Sequence, residues 1–165
     1  MPVPAPNLYP EFNIVRLSHV ELVVRDLAAS RAFYADTLGF QVTYEDSERL
    51  CFRGLEERGH HCIVLTRGDE PAAQVLGFKV YSNADLDRAW GFFSARGLPV
   101  SWVERPHQGR TLRTCDPFGV PLEFYCEMEK LPAIHQQYKL YRGVRPLFDL
   151  ALFTLAGTEV DGTAQ

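Results

Sequence analysis

Two stretches of the chain carry the same succession of apolar and polar positions. Residues 19–42 read HVELVVRDLAASRAFYADTLGFQV and residues 75–100 read VLGFKVYSNADLDRAWGFFSARGLPV; each opens with an apolar run of about six residues. A helix N-cap candidate follows, Asp26 in the first copy and Asn83 or Asp85 in the second. Leu86, Ala89, Trp90 and Phe93 then recur at i, i+3, i+4 and i+7, which is one stripe of a helix. In the first copy Leu27, Tyr34 and Leu38 fall on one side. Gly39 and Gly97 stand where a helix stops, and a return strand ends at Val42 or Val100.

Each copy continues with two more strand-like segments. These are RLCFRGL and HHCIVLT in the first copy, TLRTCD and PLEFYCE in the second. The pattern predicts two tandem β-α-β-β-β units with a repeat of about 56 to 64 residues. Alternation along a strand assigns its faces. Val20, Leu22 and Val24 oppose His19, Glu21 and Val23; Leu76, Phe78 and Val80 oppose Val75, Gly77, Lys79 and Tyr81; Leu122, Phe124 and Cys126 oppose Pro121, Glu123, Tyr125 and Glu127. The apolar face is expected to pack under the helices and the mixed face to line a cup. The fold class is therefore α+β, a concave eight-stranded mixed sheet with helices on its outer face. In DPFGVPLEFY, residues 116–125, a turn leads into an apolar run with Glu123 inside it. Such a carboxylate is either a metal ligand or a polar residue on a solvated face.

Composition narrows the function classes. At 165 residues, 46% hydrophobic and 12% aromatic, the chain has enough apolar material for a packed domain. A net charge of −4 with no long Lys/Arg run disfavours nucleic acid. The N-terminal MPVPAPNLYPEF does not have the form of a signal peptide, and no run reaches the length of a transmembrane helix. The expected location is the cytoplasm. Cys51 and Cys62, like Cys115 and Cys126, are eleven residues apart and mark the same hairpin in the two units. They read as reduced, small buried hydrophobes rather than a metal site.

The unit order, with IVRLSHVELVVRDLAASRAFYADTLGF, LEERGHHCIVL, DPFGVPLEFYCE and YKLY, resembles the vicinal oxygen chelate superfamily over roughly residues 15–128. That superfamily includes glyoxalase I, fosfomycin-resistance and bleomycin-binding proteins and extradiol dioxygenases. Within it, the chain is similar to the N-terminal domain of the homoprotocatechuate (3,4-dihydroxyphenylacetate) 2,3-dioxygenases. The resemblance implies metal ligands on the first strand of one unit and on the first and last strands of the next. These positions fall on His19, Val75 and Glu123, so the expected two-histidine, one-glutamate set for Fe(II) or Mn(II) lacks one member. His61 falls where extradiol enzymes carry a proton-transferring histidine. Lys79 is expected to neutralise Glu123 or Glu21 if no metal binds. His60 and His61 otherwise read as the start of an exposed strand end. His107 reads as a loop residue that, with Arg105 and Arg110, could meet an anion.

The resemblance divides the chain into a Pro-rich arm (1–14), a vicinal oxygen chelate domain (15–130, units 15–68 and 74–128), a connector (131–147) and the start of an incomplete third unit (148–165). In that last segment Asp149 is followed by Leu150, where relatives carry a histidine ligand; FDLALFTLA would be an apolar edge suited to oligomerisation. Three functions remain open. The first is an extradiol dioxygenase acting on a catechol such as 3,4-dihydroxyphenylacetate. The second is a non-catalytic N-terminal half that pairs with itself or with a separate catalytic subunit. The third is a metal-free binder of a small molecule, with Tyr81, Trp102 and Tyr125 lining the cup. The cofactor is Fe(II) or Mn(II), or none.

Overall fold

The computed structural model describes residues 5 and 7–134. Expectations for the connector beyond residue 134 and for residues 148–165 fall outside the described residues. Asp26 accepts a hydrogen bond from the Ala29 amide at 2.9 Å and starts α1, Leu27–Arg31. In the second half the cap is Ser82, not Asn83 or Asp85. Ser82 has extended backbone and accepts from the Asp85 amide, starting α2, Asn83–Ser94. Asp85 is buried in the first turn and serves the cap differently. Its carboxylate accepts from the Asn13 amide at 2.9 Å, from Asn13 Nδ2 at 3.1 Å, from the Ser82 hydroxyl at 2.6 Å and from Arg88 at 2.6 Å.

The helix stripe is correct in α2, where Leu86, Ala89 and Phe93 are buried. In the first half Leu27 and Tyr34 pack inward, but Leu38 is exposed. From Ala32 to Thr37 the helix widens to a π-turn, and the Leu38 amide donates to the carbonyl five residues back, Phe33 O, at 3.0 Å. That wider turn delays the phase of every later residue, so a 3.6-residue period misplaces Leu38. Gly39 and Gly97 end the two helices with φ of 83° and 70°, the left-handed conformation that favours glycine.

Among the described residues, eight strands form one mixed sheet: β1 (Ile14–Val24), β2 (Gln41–Glu45), β3 (Arg49–Arg53), β4 (Ile63–Arg67), β5 (Ala72–Val80), β6 (Ser101–Val103), β7 (Thr111–Cys115) and β8 (Pro121–Tyr125). Their order is β2-β3-β4-β1-β5-β8-β7-β6. The α+β class with a single mixed sheet is as the sequence predicts. The return strands begin about where the sequence predicts their ends, at Val42 and Val100, because the helix stop and turn occupy more chain. The first strand is eleven residues long rather than six.

Each half pairs its first and last strands in parallel, β1 with β4 and β5 with β8. The halves join through antiparallel β1 and β5. One apolar cluster sets Leu50, Phe52 and Leu65 against Leu22, Val24, Leu27 and Tyr34. The other sets Val80, Leu112 and Phe124 against Leu86, Ala89 and Phe93 of α2. Leu22, Val24, Val80 and Phe124 are predicted helix-facing positions, and Leu50, Phe52, Leu65 and Leu112 join them there, so the alternate positions line the opposite face of the sheet.

A charge network and a histidine cluster as candidate functional site

Strand register lays the mixed-face residues out in two rows. His19 pairs with Gly77, Gly77 with Glu123, and Glu123 with Arg113. Beside that row, Cys51 pairs with Val64, Val64 with Glu21, and Glu21 with Val75. The β1–β5 register shifts between Leu17 and His19 and again between Glu21 and Leu22, so irregularities bracket the stretch that carries His19 and Glu21. Gly77 has a steric reason to be glycine: a Cβ there would lie 2.1 Å from the His19 ring. The imidazole occupies the space that a side chain at position 77 would fill.

Glu123 is fully buried, with 0% exposure, and Glu21 is 3% exposed. Buried carboxylates require partners, and three arginines supply them. Arg105 binds Glu123 through Nε at 2.9 and 3.1 Å and through Nη2 at 2.6 Å. Arg113 binds the same carboxylate through Nε at 2.9 Å and Nη2 at 2.6 Å. Arg105 Nη2 also reaches Glu21 at 3.2 Å, and Arg49 Nη2 binds the other Glu21 oxygen at 2.9 Å. The expected neutralising role of Lys79 is therefore not observed; its ammonium donates to the Cys126 carbonyl at 2.9 Å. Lysine is a flexible point charge, whereas the forked guanidinium matches a carboxylate edge, and the sheet places three of them in range.

This arrangement decides how well the inherited positions suit iron or manganese. His19 is buried, and neither ring nitrogen has a hydrogen-bond partner among the described residues, which by itself suits a ligand. Glu123, however, already receives N–H donors from two guanidinium groups, and Val75 offers no donor atom. A cation placed there would face Arg49, Arg105 and Arg113. The residues present do not fit the two-histidine, one-carboxylate centre. Burial, partly opposed by Glu123, lowers the His19 pKa to about 4, so the imidazole is neutral.

His60 and His61 are each only 3% exposed, not at an exposed strand end. Their Nδ1 atoms lie 3.1 Å apart, and His61 Nε2 lies 3.2 Å from Gln108 Oε1. The His61 ring also meets the His19 ring edge-on at 5.1 Å between centroids. Burial first, then the neighbouring His19, lowers the His61 pKa to about 3. His107 stacks on His60 at 3.6 Å and bonds Glu129 at 2.8 Å. It holds the left-handed φ of 66°, uncommon for a residue with a Cβ. Among the described residues, one donor atom each from Cys51, His60 and His61 lie within 4.8 Å of one another. A cavity of about 280 Å³ opens beside them, lined by Tyr44, Asp46, Arg49, Cys51, His61, Pro106 and His107.

The expected aromatic lining differs. Tyr125 is buried and hydrogen-bonded to Ser18, while Tyr81 is exposed. Trp102 stacks on Trp90 of α2 and so belongs to the helix-facing side. Of the loop arginines, Arg105 does meet anions, but they are the protein's own Glu21 and Glu123. Arg110 instead lies over Trp102 and binds Asp87. Sequence reasoning missed Arg49, Arg113, Cys51, His60 and Gln108 as site residues. For Arg49, Cys51 and Arg113 a signal existed: Arg49 and Cys51 flank Leu50, and Arg113 follows Leu112, so alternation puts all three on the face of His19 and Glu123.

Comparison with known proteins agrees with this fold. The profile of the Glyoxalase/Bleomycin resistance protein/Dioxygenase superfamily matches residues 16–124. A manganese-dependent 2,3-dihydroxybiphenyl 1,2-dioxygenase of Geobacillus genomosp. 3 is 25% identical over 121 residues, covering 72% of this chain and 38% of that protein. A variant of homoprotocatechuate 2,3-dioxygenase from B. fuscum superposes with a TM-score of 0.75 at 38% identity, covering 84% of this chain and 39% of that one. The substrate complex of the Brevibacterium fuscum enzyme with 3,4-dihydroxyphenylacetate superposes with a TM-score of 0.74 at 34% identity, covering 90% of this chain and 53% of that one. The chain thus spans about two fifths to half of the length of these relatives. With the family profile matching well over half of its residues, the chain belongs to the glyoxalase/bleomycin resistance protein/dioxygenase superfamily.

Proposed function

We propose that residues 15–130 form the non-catalytic, N-terminal type of domain of an extradiol dioxygenase-like protein, a cytoplasmic scaffold that pairs with itself or with a separate catalytic subunit. The observation that carries this reading is the clamping of Glu123 by Arg105 and Arg113. Where a catalytic member needs an open carboxylate for its metal, this domain has an internal ion pair. Val75 supports the same reading by offering no ligand at the third position. In this reading His61 does not move protons for ring cleavage, and a catechol such as 3,4-dihydroxyphenylacetate is the substrate of the catalytic partner.

The test is ring cleavage by the full chain after anaerobic loading with Fe(II) or Mn(II), followed by oxygen and 3,4-dihydroxyphenylacetate. No turnover is expected, and Glu123→Ala should not change the number of metal ions retained. Turnover that disappears in Glu123→Ala would overturn the scaffold reading. A second reading, metal-free binding of a small molecule, is favoured by the cavity beside His61. It predicts a ligand-dependent rise in Tm with 3,4-dihydroxyphenylacetate in the presence of a chelator.

A further inference from the structure

We infer that Cys51, His60 and His61 form a binding site for a borderline divalent cation of the zinc type, with a fourth position open to the adjoining cavity. The site is distinct from the inherited His19, Val75 and Glu123 positions and does not depend on the scaffold reading. It rests first on the donor set. Two imidazoles and a thiol, all buried, converge within 4.8 Å. Such N₂S sets select Zn(II) or Co(II) over Mg(II), Ca(II) or Mn(II), which prefer oxygen.

The tautomer of His61 follows from its neighbours. Gln108 Nε2 donates to the Thr111 hydroxyl at 3.2 Å, and that hydroxyl donates to the Gly109 carbonyl at 2.9 Å. The amide orientation leaves Gln108 Oε1 as an acceptor, so His61 carries its proton on Nε2. Its Nδ1 is then unprotonated and lies 3.1 Å from His60 Nδ1. An outer N–H fixed by a hydrogen bond while the inner nitrogen stays bare is how metal-binding histidines are held. Two nitrogens at ordinary zinc distance in a tetrahedron stand about 3.3 Å apart, close to the spacing observed.

The backbone holds this geometry from behind. Residues after β8 run between the loops that carry His60 and Gln108. Lys130 bridges Gly59, Met128 bridges Gln108, and the His60 amide donates to Glu129 O at 2.9 Å. His107, anchored by Glu129, stacks on the His60 ring and limits its rotation. Arg49 lies nearby, but Glu21 engages it at 2.9 Å. Cation binding displaces the Cys51 thiol proton to solvent, leaving a thiolate ligand and no redox change.

The experiment titrates the untagged, reduced full chain with Co(II) at neutral pH. One equivalent is expected to bind, with a thiolate-to-cobalt charge-transfer band in the near ultraviolet and strong visible bands of four-coordination. Cys51→Ser should abolish the near-ultraviolet band while circular dichroism stays native. Gln108→Ala, which touches no donor atom, should weaken Co(II) affinity about 10- to 100-fold. It decides the matter if Cys51→Ser does not fold. Glu123→Gln should leave the band unchanged. Absence of the band in the parent chain, its persistence in a folded Cys51→Ser, or an unchanged affinity in Gln108→Ala would each overturn the site. A Co(II) spectrum lost in Glu123→Gln but kept in Cys51→Ser would overturn both this site and the scaffold reading, whereas catechol turnover with an intact Cys51-dependent band would overturn the scaffold reading alone.

Discussion

Arg105 is the residue on which the mixed face turns, because one guanidinium contacts both buried carboxylates. Removing one partner from a buried ion pair costs about 3–5 kcal/mol, since the other charge is left without compensation. Arg113 and Arg49 still serve Glu123 and Glu21 when Arg105 is gone. Arg105→Ala should therefore lose about 2–3 kcal/mol, at or below the lower end of that range. Urea unfolding at neutral pH measures it; a loss near zero would show that the remaining arginines neutralise the site unaided. The identities of these partners were not readable beforehand. Glu123 and Arg113 meet because β8 lies beside β7, whereas Arg105 reaches Glu21 from 84 positions further along the chain. Alternation says which face a side chain takes, but only strand order says what it meets there.

At the scale of elements, α2 is tied to the start of β1 by Asp85, which accepts from both Asn13 nitrogens as well as from Ser82 and Arg88. Asp85→Ala removes a buried acceptor and strands the Asn13 amide. A loss of about 2–4 kcal/mol is expected, read as a shift in the urea midpoint with unchanged slope. A loss below about 1 kcal/mol would mean that water replaces the carboxylate. The helices and strands themselves were legible, because apolar periodicity and glycine stops are local signals. Two features were not. Ser82 outcompetes Asn83 as cap because it alone takes the extended backbone at that point. The π-turn before Leu38 comes from backbone hydrogen bonds reaching five residues back, which a hydrophobic stripe does not encode. The cup was foreseen, but its contents were not. Glu123 stood out as a charge in an apolar run, whereas Cys51 read as one more small hydrophobe.

For the whole molecule, the buried histidines make stability fall on acidification. Burial holds His19 near a pKa of about 4 and His61 near about 3, against 6.5 when exposed. The unfolded chain therefore binds more protons than the folded one once the pH drops below 6.5. Their contribution is fully present above that pH and is lost as pH falls towards 4 for His19 and 3 for His61. Between pH 7 and pH 5 each should cost on the order of 2 kcal/mol in the metal-free chain. His19→Gln should flatten this part of the profile in urea titrations, and an equally steep profile in the variant would count against it. The segment after β8 adds a temporal constraint. It bonds to Gly59 in one half and Gln108 in the other, so both loops are closed by residues 127–131. During synthesis the first half can pair its own strands well before that segment leaves the ribosome. His60 and Gln108, though separated by less than a third of the chain, share one later segment as backbone partner, so neither loop has its full set of backbone hydrogen bonds until β8 has been made.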